Sequence, residues 1–328
     1  MQRRPLAALL GAAAIVSAFA VQPTPAQAQD SCTIALIPGL TTDAFYITMR
    51  KGAEMAAKAV GCELLFQGAP DFNPVTQVPV LQAVIARKPN AILIAPTDKQ
   101  QLIAPLQQAV DAGIPVITVD TFIDDGKYQN GEGTGDFPLS YIATDNVLGG
   151  FLAGLALAKQ VDGKGKVYVS NVKPGISTTD QREEGFKAAM QNFPDITVLE
   201  TQFNDDDANK AASQVQAVYA RNNDLDGIFG ANLFSAIGAA DGVKALGKQG
   251  EIRVVAFDAP SRIVDDLKSG LIDLAVAQHP AEIGYYGVKT AYAEIHGQSV
   301  PPLIGTGATI MTTDNNDDPE IAKFVYSD

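Results

Sequence analysis

The stretch that decides the fold is PVITVDTF at residues 115–122, an apolar, β-branched run that ends on the carboxylate of Asp120. RVVAFDAP at residues 253–260 reaches Asp258 in the same way, and DLAVAQHP at residues 273–280 reaches the amide of Gln278. Short apolar runs bounded by polar or turn residues are typical of buried strands in parallel sheets. The sequence therefore predicts buried strands whose carboxyl ends carry polar side chains.

Such strands alternate with amphipathic helical stretches in the first half of the chain. The predicted strands are TIALI, ELLFQG, AILIA and PVITV, and the predicted helices between them are residues 45–60, 75–87 and 100–112. Continuous apolar strands separated by helices indicate a parallel sheet covered on both faces. This half is predicted to be a doubly wound α/β unit.

The same alternation restarts in the second half, and Tyr141 to Thr144 is the predicted crossing. The second set of strands is KVYVS, ITVLET, GIFG, RVVAF and DLAVAQ, with helices at residues 179–192, 208–221, 234–246 and 261–268. The predicted fold class is α/β, with two doubly wound parallel-sheet lobes.

One more helix, Glu282 to His296, follows the second unit, and VPPLIG and the extended segment GATIMTT come after it. A helix left over in this position can return to the first unit, which predicts several chain crossings and hence a multi-strand hinge. The predicted first lobe is residues 29–143 with 279–304, and the predicted second lobe is residues 144–278 with 305–328.

The first 28 residues have the pattern of a secretory signal peptide. Arg3 and Arg4 precede an apolar stretch of about 16 residues, and Ala26-Gln27-Ala28 supplies small residues for cleavage. The alternative is a membrane anchor, but the stretch is shorter than the roughly 20 residues that span a bilayer. The sequence predicts export to the periplasm with cleavage near Ala28.

Composition excludes several classes of function. The formal net charge of −13 disfavours nucleic acid and anionic membranes as partners, since both need a positive surface. His279 and His296, the two histidines, have no metal-ligand spacing, and no GxSxG motif is present. The Gly-rich stretch at residues 123–140 is predicted to be a loop without a phosphate-binding motif. No metal or cofactor is expected.

Two cysteines precede the first two strands, Cys32 and Cys62. If these strands are parallel neighbours, both thiols lie at the same end of the sheet. A disulfide is the favoured interpretation in an oxidising compartment, and two unpaired thiols are the alternative.

Ligands of open parallel sheets bind beyond the carboxyl ends of the strands, where Asp120, Asp258 and Gln278 are placed. The alternative for each residue is a turn or a helix N-cap. Carboxylates and amides can bind sugar hydroxyls, and Phe45 and Tyr46 can stack on a sugar ring, although Phe45 also fits a core-facing helix stripe.

The acidic run from Asn204 to Lys210 resembles neither a calcium-binding loop nor a catalytic pair. A helix start rich in capping carboxylates explains it. Because it follows the strand ITVLET, a ligand contact by one of its residues is left open.

Several segments, taken in order, resemble one family over the whole mature sequence. They are TIALI with Phe45-Tyr46, AILIAPTD, GIPVITVD, ATDNVLGG, STTDQREEGF, VVAFDAP and AVAQHPAEIG. Together they resemble the ribose-type periplasmic sugar-binding proteins, the solute receptors of ABC importers. The resemblance implies the type I periplasmic binding protein fold, with a ligand held between two closing lobes.

The resemblance also implies a set of ligand-binding residues. Matched positions and their neighbours give the predicted set Asp43, Phe45, Tyr46, Asp120, Thr144, Arg182, Asn232, Asp258 and Gln278. The chain departs from the ribose type at Asp43, Thr121 and Asp206, and its loop at residues 123–140 is longer. Ribose itself is therefore in doubt, and a polyol, another pentose, a hexose or a furanose fits better.

The implied partner is an inner-membrane ABC permease, with a chemoreceptor or sensor as an additional candidate, and the chain is expected to be a monomer. Two other functions are alternatives. A secreted sugar-acting enzyme would use Asp120 and Asp258 as an acid/base pair. A sugar-responsive repressor would need a helix-turn-helix, which the N-terminal sequence does not show.

Overall fold

A computed structural model of the chain describes residues 32–128 and 137–327. The predicted signal peptide and its cleavage position near Ala28 lie outside the described residues, as does the middle of the predicted loop at residues 123–140. Along the chain the elements are β1 (Thr33–Ile37), α1 (Ala44–Val60), β2 (Glu63–Phe66), α2 (Pro74–Ala86), β3 (Ala91–Ile94), α3 (Ile103–Asp111), β4 (Val116–Val119), β5 (Ser140–Thr144), α4 (Asn146–Gln160), β6 (Lys164–Asn171), α5 (Ser177–Met190), β7 (Asp195–Val198), β8 (Gln202–Phe203), α6 (Ala208–Arg221), β9 (Leu225–Gly230), α7 (Leu233–Ala245), β10 (Arg253–Phe257), α8 (Ser261–Lys268), β11 (Leu274–Gln278), α9 (Pro280–Ile295), β12 (Leu303–Thr306), β13 (Ala308–Met311) and α10 (Pro319–Ala322).

The strands form two sheets, and each is the centre of one lobe. The first has the order β12-β5-β4-β3-β1-β2, and its neighbouring strands are parallel. The second has the order β13-β11-β10-β9-β6-β7, is parallel except for β13, and is extended by β8 beside β6. The predicted fold class, two doubly wound α/β lobes, is confirmed.

The apolar strands are almost completely buried because helices cover both faces of each sheet. Strands β3 and β4 are buried at every position, which explains why their sequences are apolar without alternation. The predicted helices are present with ends shifted by a few residues at most. Within the described ranges, none of the helices has the length and apolar character needed to cross a membrane.

Helix α4 was not predicted. Its sequence, NVLGGFLAGLALAKQ, contains three glycines, which lower helix propensity. A methyl group at Gly150 would overlap the carbonyl group of Arg182, and one at Gly185 would overlap that of Val147. The glycines therefore allow α4 and α5 to approach at backbone distance, and this contact places Arg182.

Three connections pass between the lobes in the described chain. The first leaves β5 for α4, and the second leaves β11 for α9, which packs against α1 of the first lobe. The third joins β12 of the first sheet to β13 of the second. Strands β5 and β12 pair in parallel up to Thr144 and Thr306. The first and third connections, which follow these strands, therefore leave the first sheet side by side.

The disulfide prediction is confirmed. Strands β1 and β2 are parallel neighbours, with Thr33 beside Glu63. Cys32 and Cys62 lie just before this pair, their Cα atoms are 4.7 Å apart, and they form a disulfide. The bond fastens the edge strand β2 to its neighbour β1, at the end opposite the carboxyl ends of the strands.

Candidate ligand-binding site

A cavity with about 440 Å³ of empty space lies at the carboxyl ends of the strands of both sheets. Ligand sites at this place are usual for open α/β folds. The first lobe contributes Leu40, Asp43, Phe45, Tyr46, Phe72 and Asp120, and the second contributes Val172, Ile176, Thr178, Thr179, Arg182, Asp206, Asn232, Asp258 and Gln278.

The structure brings together the residues predicted from the sequence, with one exception. Thr144 does not line the cavity; it is buried at the end of β5, where the chain leaves the first sheet. Phe72, Val172, Ile176, Thr178 and Thr179 line the cavity without having been predicted. They lie in loops or helix starts with no periodic pattern, and their one sequence signal is that they come after strands β2 and β6.

The two lobes touch at the edge of this cavity. The backbone N–H of Phe122 in the first lobe donates to Oγ of Ser177 in the second, at 3.1 Å. Lys99 Nζ lies 3.5 Å from Asp180 Oδ2 across the same boundary. The structure therefore shows the lobes closed over the cavity.

Asp120 stands at the carboxyl end of β4 with φ 63°, in the left-handed region that few residues other than glycine adopt. Its Oδ2 accepts from the Tyr46 hydroxyl at 2.7 Å, and its carbonyl accepts from the Tyr141 hydroxyl at 2.7 Å. Burial raises its pKa to about 6, although Arg182 and the Tyr46 hydroxyl act in the opposite direction.

Asp258 occupies the equivalent end of β10 and also has a positive φ, 80°. Its Oδ1 accepts from Gln278 Nε2 at 2.7 Å, and its Oδ2 accepts from the N–H of Leu233 at 3.0 Å. Gln278 Oε1 is buried and has no hydrogen-bond partner among the described residues. This oxygen needs a donor, which a bound hydroxyl can supply.

Arg182 is the buried cation of the cavity, and its side chain is 3% exposed. Its Nε donates to Asn146 Oδ1 at 2.8 Å and its Nη1 donates to the carbonyl of Ala231 at 2.9 Å. The guanidinium carbon lies 3.9 Å from the centre of the Phe257 ring, and Nη1 lies 3.9 Å from Asp258 Oδ2. These contacts hold the planar group in one orientation.

Two further carboxylates, Asp43 and Asp206, line the cavity. Asp43 caps α1 through a bond from the N–H of Phe45, and Asp206 accepts from Asn232 Nδ2 at 2.7 Å. Burial raises the pKa of Asp206 to about 6; Asn232 opposes the shift and Asp258 adds to it. Burial, and then the charge of Asp258, raise the pKa of Asp43 well above its ordinary value.

Aromatic rings form the apolar part of the cavity. Phe45 and Tyr46 in the first turn of α1 meet edge to face, with ring centres 5.1 Å apart. Phe45 is 4% exposed and also belongs to the core, so the two interpretations of this residue, ligand contact and core packing, are compatible. Phe72 adds a third ring from the loop after β2.

The ligand-free protein is expected to lose stability as the pH rises from about 4 to 7. The pKa values of Asp120 and Asp206 in the folded protein, about 6, lie above the ordinary aspartate value of 3.8 that applies in the unfolded chain. The folded state therefore keeps protons that the unfolded chain releases, and the resulting stabilisation, about 3 kcal/mol per group, is lost progressively as the pH rises from about 4 through the folded pKa of about 6.

Melting curves at pH 5 and pH 7.5 measure this effect. Asp206→Asn should flatten the pH dependence, whereas Asp111→Asn, at an exposed position on α3, should leave it unchanged. Equal pH dependence in the wild type and Asp206→Asn would contradict the raised pKa.

Comparison with known proteins gives the family. The model of the periplasmic binding protein domain matches residues 34–299. The ribose import binding protein RbsB of Escherichia coli (strain K12) is 31% identical over 289 residues, which are 88% of this chain and 93% of that protein. This chain is a ribose-type periplasmic sugar-binding protein.

Solved structures of ABC-transporter solute-binding proteins have the same fold as this sugar-binding protein. One from Agrobacterium vitis, with bound α-D-tagatopyranose, is 69% identical with a TM-score of 0.90, and the match covers 91% of this chain and 100% of that one. One from Agrobacterium radiobacter, in complex with D-arabinose, is 28% identical with a TM-score of 0.83, covering 90% and 99%. The family consists of receptors for import, which supports a periplasmic location and gives no support to the enzyme alternative.

Proposed function

We propose that this sugar-binding protein captures a hexose in its pyranose form, of the tagatose kind, and delivers it to an ABC importer. The supporting observation is the likeness to the Agrobacterium vitis protein with bound α-D-tagatopyranose, at 69% identity and a TM-score of 0.90. At 31% identity or less, the ribose-binding and arabinose-bound relatives agree on a carbohydrate without agreeing on which one.

The cavity has the chemistry that a neutral sugar requires. Carboxylates accept from hydroxyl groups, Arg182 and Asn232 supply N–H donors, and Gln278 offers the unpartnered Oε1. The rings of Phe45, Tyr46 and Phe72 can pack on the C–H faces of a sugar. The proposed ligand-binding residues are those predicted from the sequence that line the cavity, together with Asp206 and Phe72.

Positions that depart from the ribose type favour a ligand other than ribose. The resemblance places an aromatic residue near Asp206, with Phe203 close by in sequence. Asp206 lines the cavity and Phe203 does not, so this wall offers a hydrogen-bond acceptor. Thr121, where the resemblance places an arginine, donates to the carbonyl of Pro96 at 2.7 Å and does not line the cavity. Compared with the ribose type, this cavity therefore has more hydrogen-bond acceptors and fewer donors, which suits a ligand with more hydroxyl groups than ribose.

Binding is proposed to act through closure of the lobes. A ligand that contacts both lobes binds the closed form more tightly than the open form, and this difference in affinity shifts the population to the closed form. The closed form is then the species that the permease recognises, and a chemoreceptor or sensor is a second candidate partner. We further propose a monomer that makes and breaks no bond in the sugar, uses no cofactor, and is cleaved near Ala28.

A melting-temperature screen against D-tagatose, other hexoses, pentoses and polyols tests the proposal. A ligand at about 100 times its Kd stabilises by roughly 2.7 kcal/mol, which corresponds to a shift of a few degrees. D-tagatose should give the largest shift, and calorimetry should show one site per chain. A larger shift with ribose, or none with any sugar, would contradict the proposed ligand. Chromatography after incubation should recover the sugar unchanged.

A further inference from the structure

The residues after α10, Lys323 to Ser327, contact both lobes and are called here the tail segment. The Phe324 ring stacks on the His279 imidazole, with centres 3.7 Å apart, and the N–H of Tyr326 donates to the carbonyl of Ala259 at 2.9 Å. His279 and Ala259 follow strands β11 and β10 of the second sheet. The N–H of Ser327 donates to Thr48 Oγ1 in α1 of the first lobe, at 2.7 Å.

Tyr326 reaches the back of the cavity without lining it. Its hydroxyl donates to Asp258 Oδ1 at 2.9 Å and accepts from the backbone N–H of Gln278 at 2.9 Å. Its ring meets that of Phe45 edge to face, with centres 5.8 Å apart. One side chain, 1% exposed, therefore contacts three residues that line the cavity, two from the second lobe and one from the first.

The Tyr326 hydroxyl holds the Asp258 carboxylate and the backbone of Gln278, and the Asp258 carboxylate in turn holds the Gln278 side-chain amide. Asp258 Oδ1 receives two donors, Gln278 Nε2 and the Tyr326 hydroxyl, so Oδ2 keeps the capacity for a further donor. Because Gln278 Nε2 donates to Asp258, the amide is held in one orientation and its unpartnered Oε1 can accept from a ligand. Groups held in the binding geometry lose less entropy when the ligand arrives.

We propose that Tyr326 is a positioning residue for sugar binding, and that the tail segment joins the two lobes in the closed form as a connection additional to the three chain crossings. This inference rests on the proposed function, since it takes Asp258 and Gln278 as sugar-binding residues. The tail segment slows reopening because its bond to Thr48 and its ring contact with Phe45 both bridge the lobes.

Tyr326→Phe tests the positioning role because it keeps the ring and removes the hydroxyl alone. With D-tagatose as the probe, we expect Kd to rise about ten- to a hundredfold, the range for a lost hydrogen bond to a charged group. Surface plasmon resonance should assign most of the rise to faster dissociation. Tyr168→Phe is the matched control, since its buried hydroxyl has no partner among the described residues, and its Kd should not change.

Thr48→Val tests the connection between the lobes, since it removes the acceptor of the Ser327 N–H at a position that does not line the cavity. We expect faster dissociation of the sugar with little change in its association rate. A second readout, hydrogen exchange of the Gln278 amide without ligand, should be faster in Tyr326→Phe than in the wild type.

The outcomes separate this inference from the proposed function. If the wild type binds sugar and Tyr326→Phe binds as tightly as Tyr168→Phe, the positioning role is overturned while the function stands. If the wild type binds no sugar, the proposed function fails. The exchange measurement needs no sugar: an unchanged exchange rate of the Gln278 amide in Tyr326→Phe would overturn the contact between the Tyr326 hydroxyl and Gln278. An affinity loss matched by an equal loss of stability in the ligand-free protein would assign Tyr326 a structural role only.

Discussion

Arg182→Met is expected to abolish sugar binding and to lower the melting temperature of the ligand-free protein. The guanidinium is 3% exposed, its Nη1 lies 3.9 Å from Asp258 Oδ2, and its charge acts to lower the pKa of Asp120. Removing one partner from a buried group of charges leaves the others uncompensated, at a cost of about 3–5 kcal/mol. The variant also leaves the Asn146 amide oxygen and the Ala231 carbonyl without their donor.

Calorimetric titration and melting curves measure both parts of this prediction. Arg182→Lys separates charge from geometry: it keeps the cation and loses the planar fork, so we expect it to retain part of the stability and little of the affinity. Arg50→Ala is the control, because Arg50 is half exposed and pairs with Glu54 within α1; a change within about 0.5 kcal/mol is expected. An Arg182→Met protein with wild-type stability would contradict the charge argument.

Asp120→Ala is expected to remove sugar binding while leaving the melting temperature unchanged or higher. A carboxylate that accepts from two hydroxyl groups contributes about 1.5–3 kcal/mol for each, which corresponds to a loss of about 10² to 10⁴ in affinity. The effect on stability has the opposite sign from that of Arg182→Met. Burial raises the pKa of Asp120 to about 6, so its charged form costs about 3 kcal/mol at neutral pH.

In Asp120→Ala, the loss of the carboxylate as a hydrogen-bond acceptor limits the gain in stability. The Tyr46 hydroxyl donates to Asp120 Oδ2, and alanine leaves this donor without a partner. Asp120→Asn keeps an acceptor oxygen for Tyr46 and removes the charge, so it should be the more stable of the two variants. Unchanged affinity in both would remove Asp120 from the site; Asp98→Ala, which does not line the cavity, is the control.

The sequence was enough to predict the fold class because buried parallel strands have an apolar signature of their own. PVITV and AILIA could be assigned as buried strands from the sequence alone. A strand in a sheet that is covered on both faces is apolar throughout and shows no alternation of apolar and polar residues. The polar residues that close these strands, Asp120 and Asp258, could be placed at the site by the rule that ligands bind at carboxyl ends. For the acidic run from Asn204 to Lys210 the same rule left a ligand contact open without naming a residue, and the structure places Asp206 in the cavity lining.

Other parts of the site could not be predicted from the sequence. Phe72 and Thr179 reach the cavity through loop and helix-start geometry, which leaves no periodic pattern. The sequence did not predict helix α4 because its glycines lower helix propensity. In the structure these glycines allow the close contact with α5. Tyr326 is far in sequence from every residue that it contacts at the cavity, so its role depends on the tertiary fold.

The order of strands in the first sheet has a consequence for how the chain folds as it emerges N-terminus first. Strand β12 forms one edge of this sheet, and α9 covers α1, yet both follow the whole of β6 to β11 in the sequence. The first lobe therefore stays without its edge strand and one covering helix until residues 280–306 arrive, whereas the second lobe has most of its sheet earlier. Nascent chains that stop before Pro280 should consequently protect β6 and β9 from proteolysis before they protect β1 and β3.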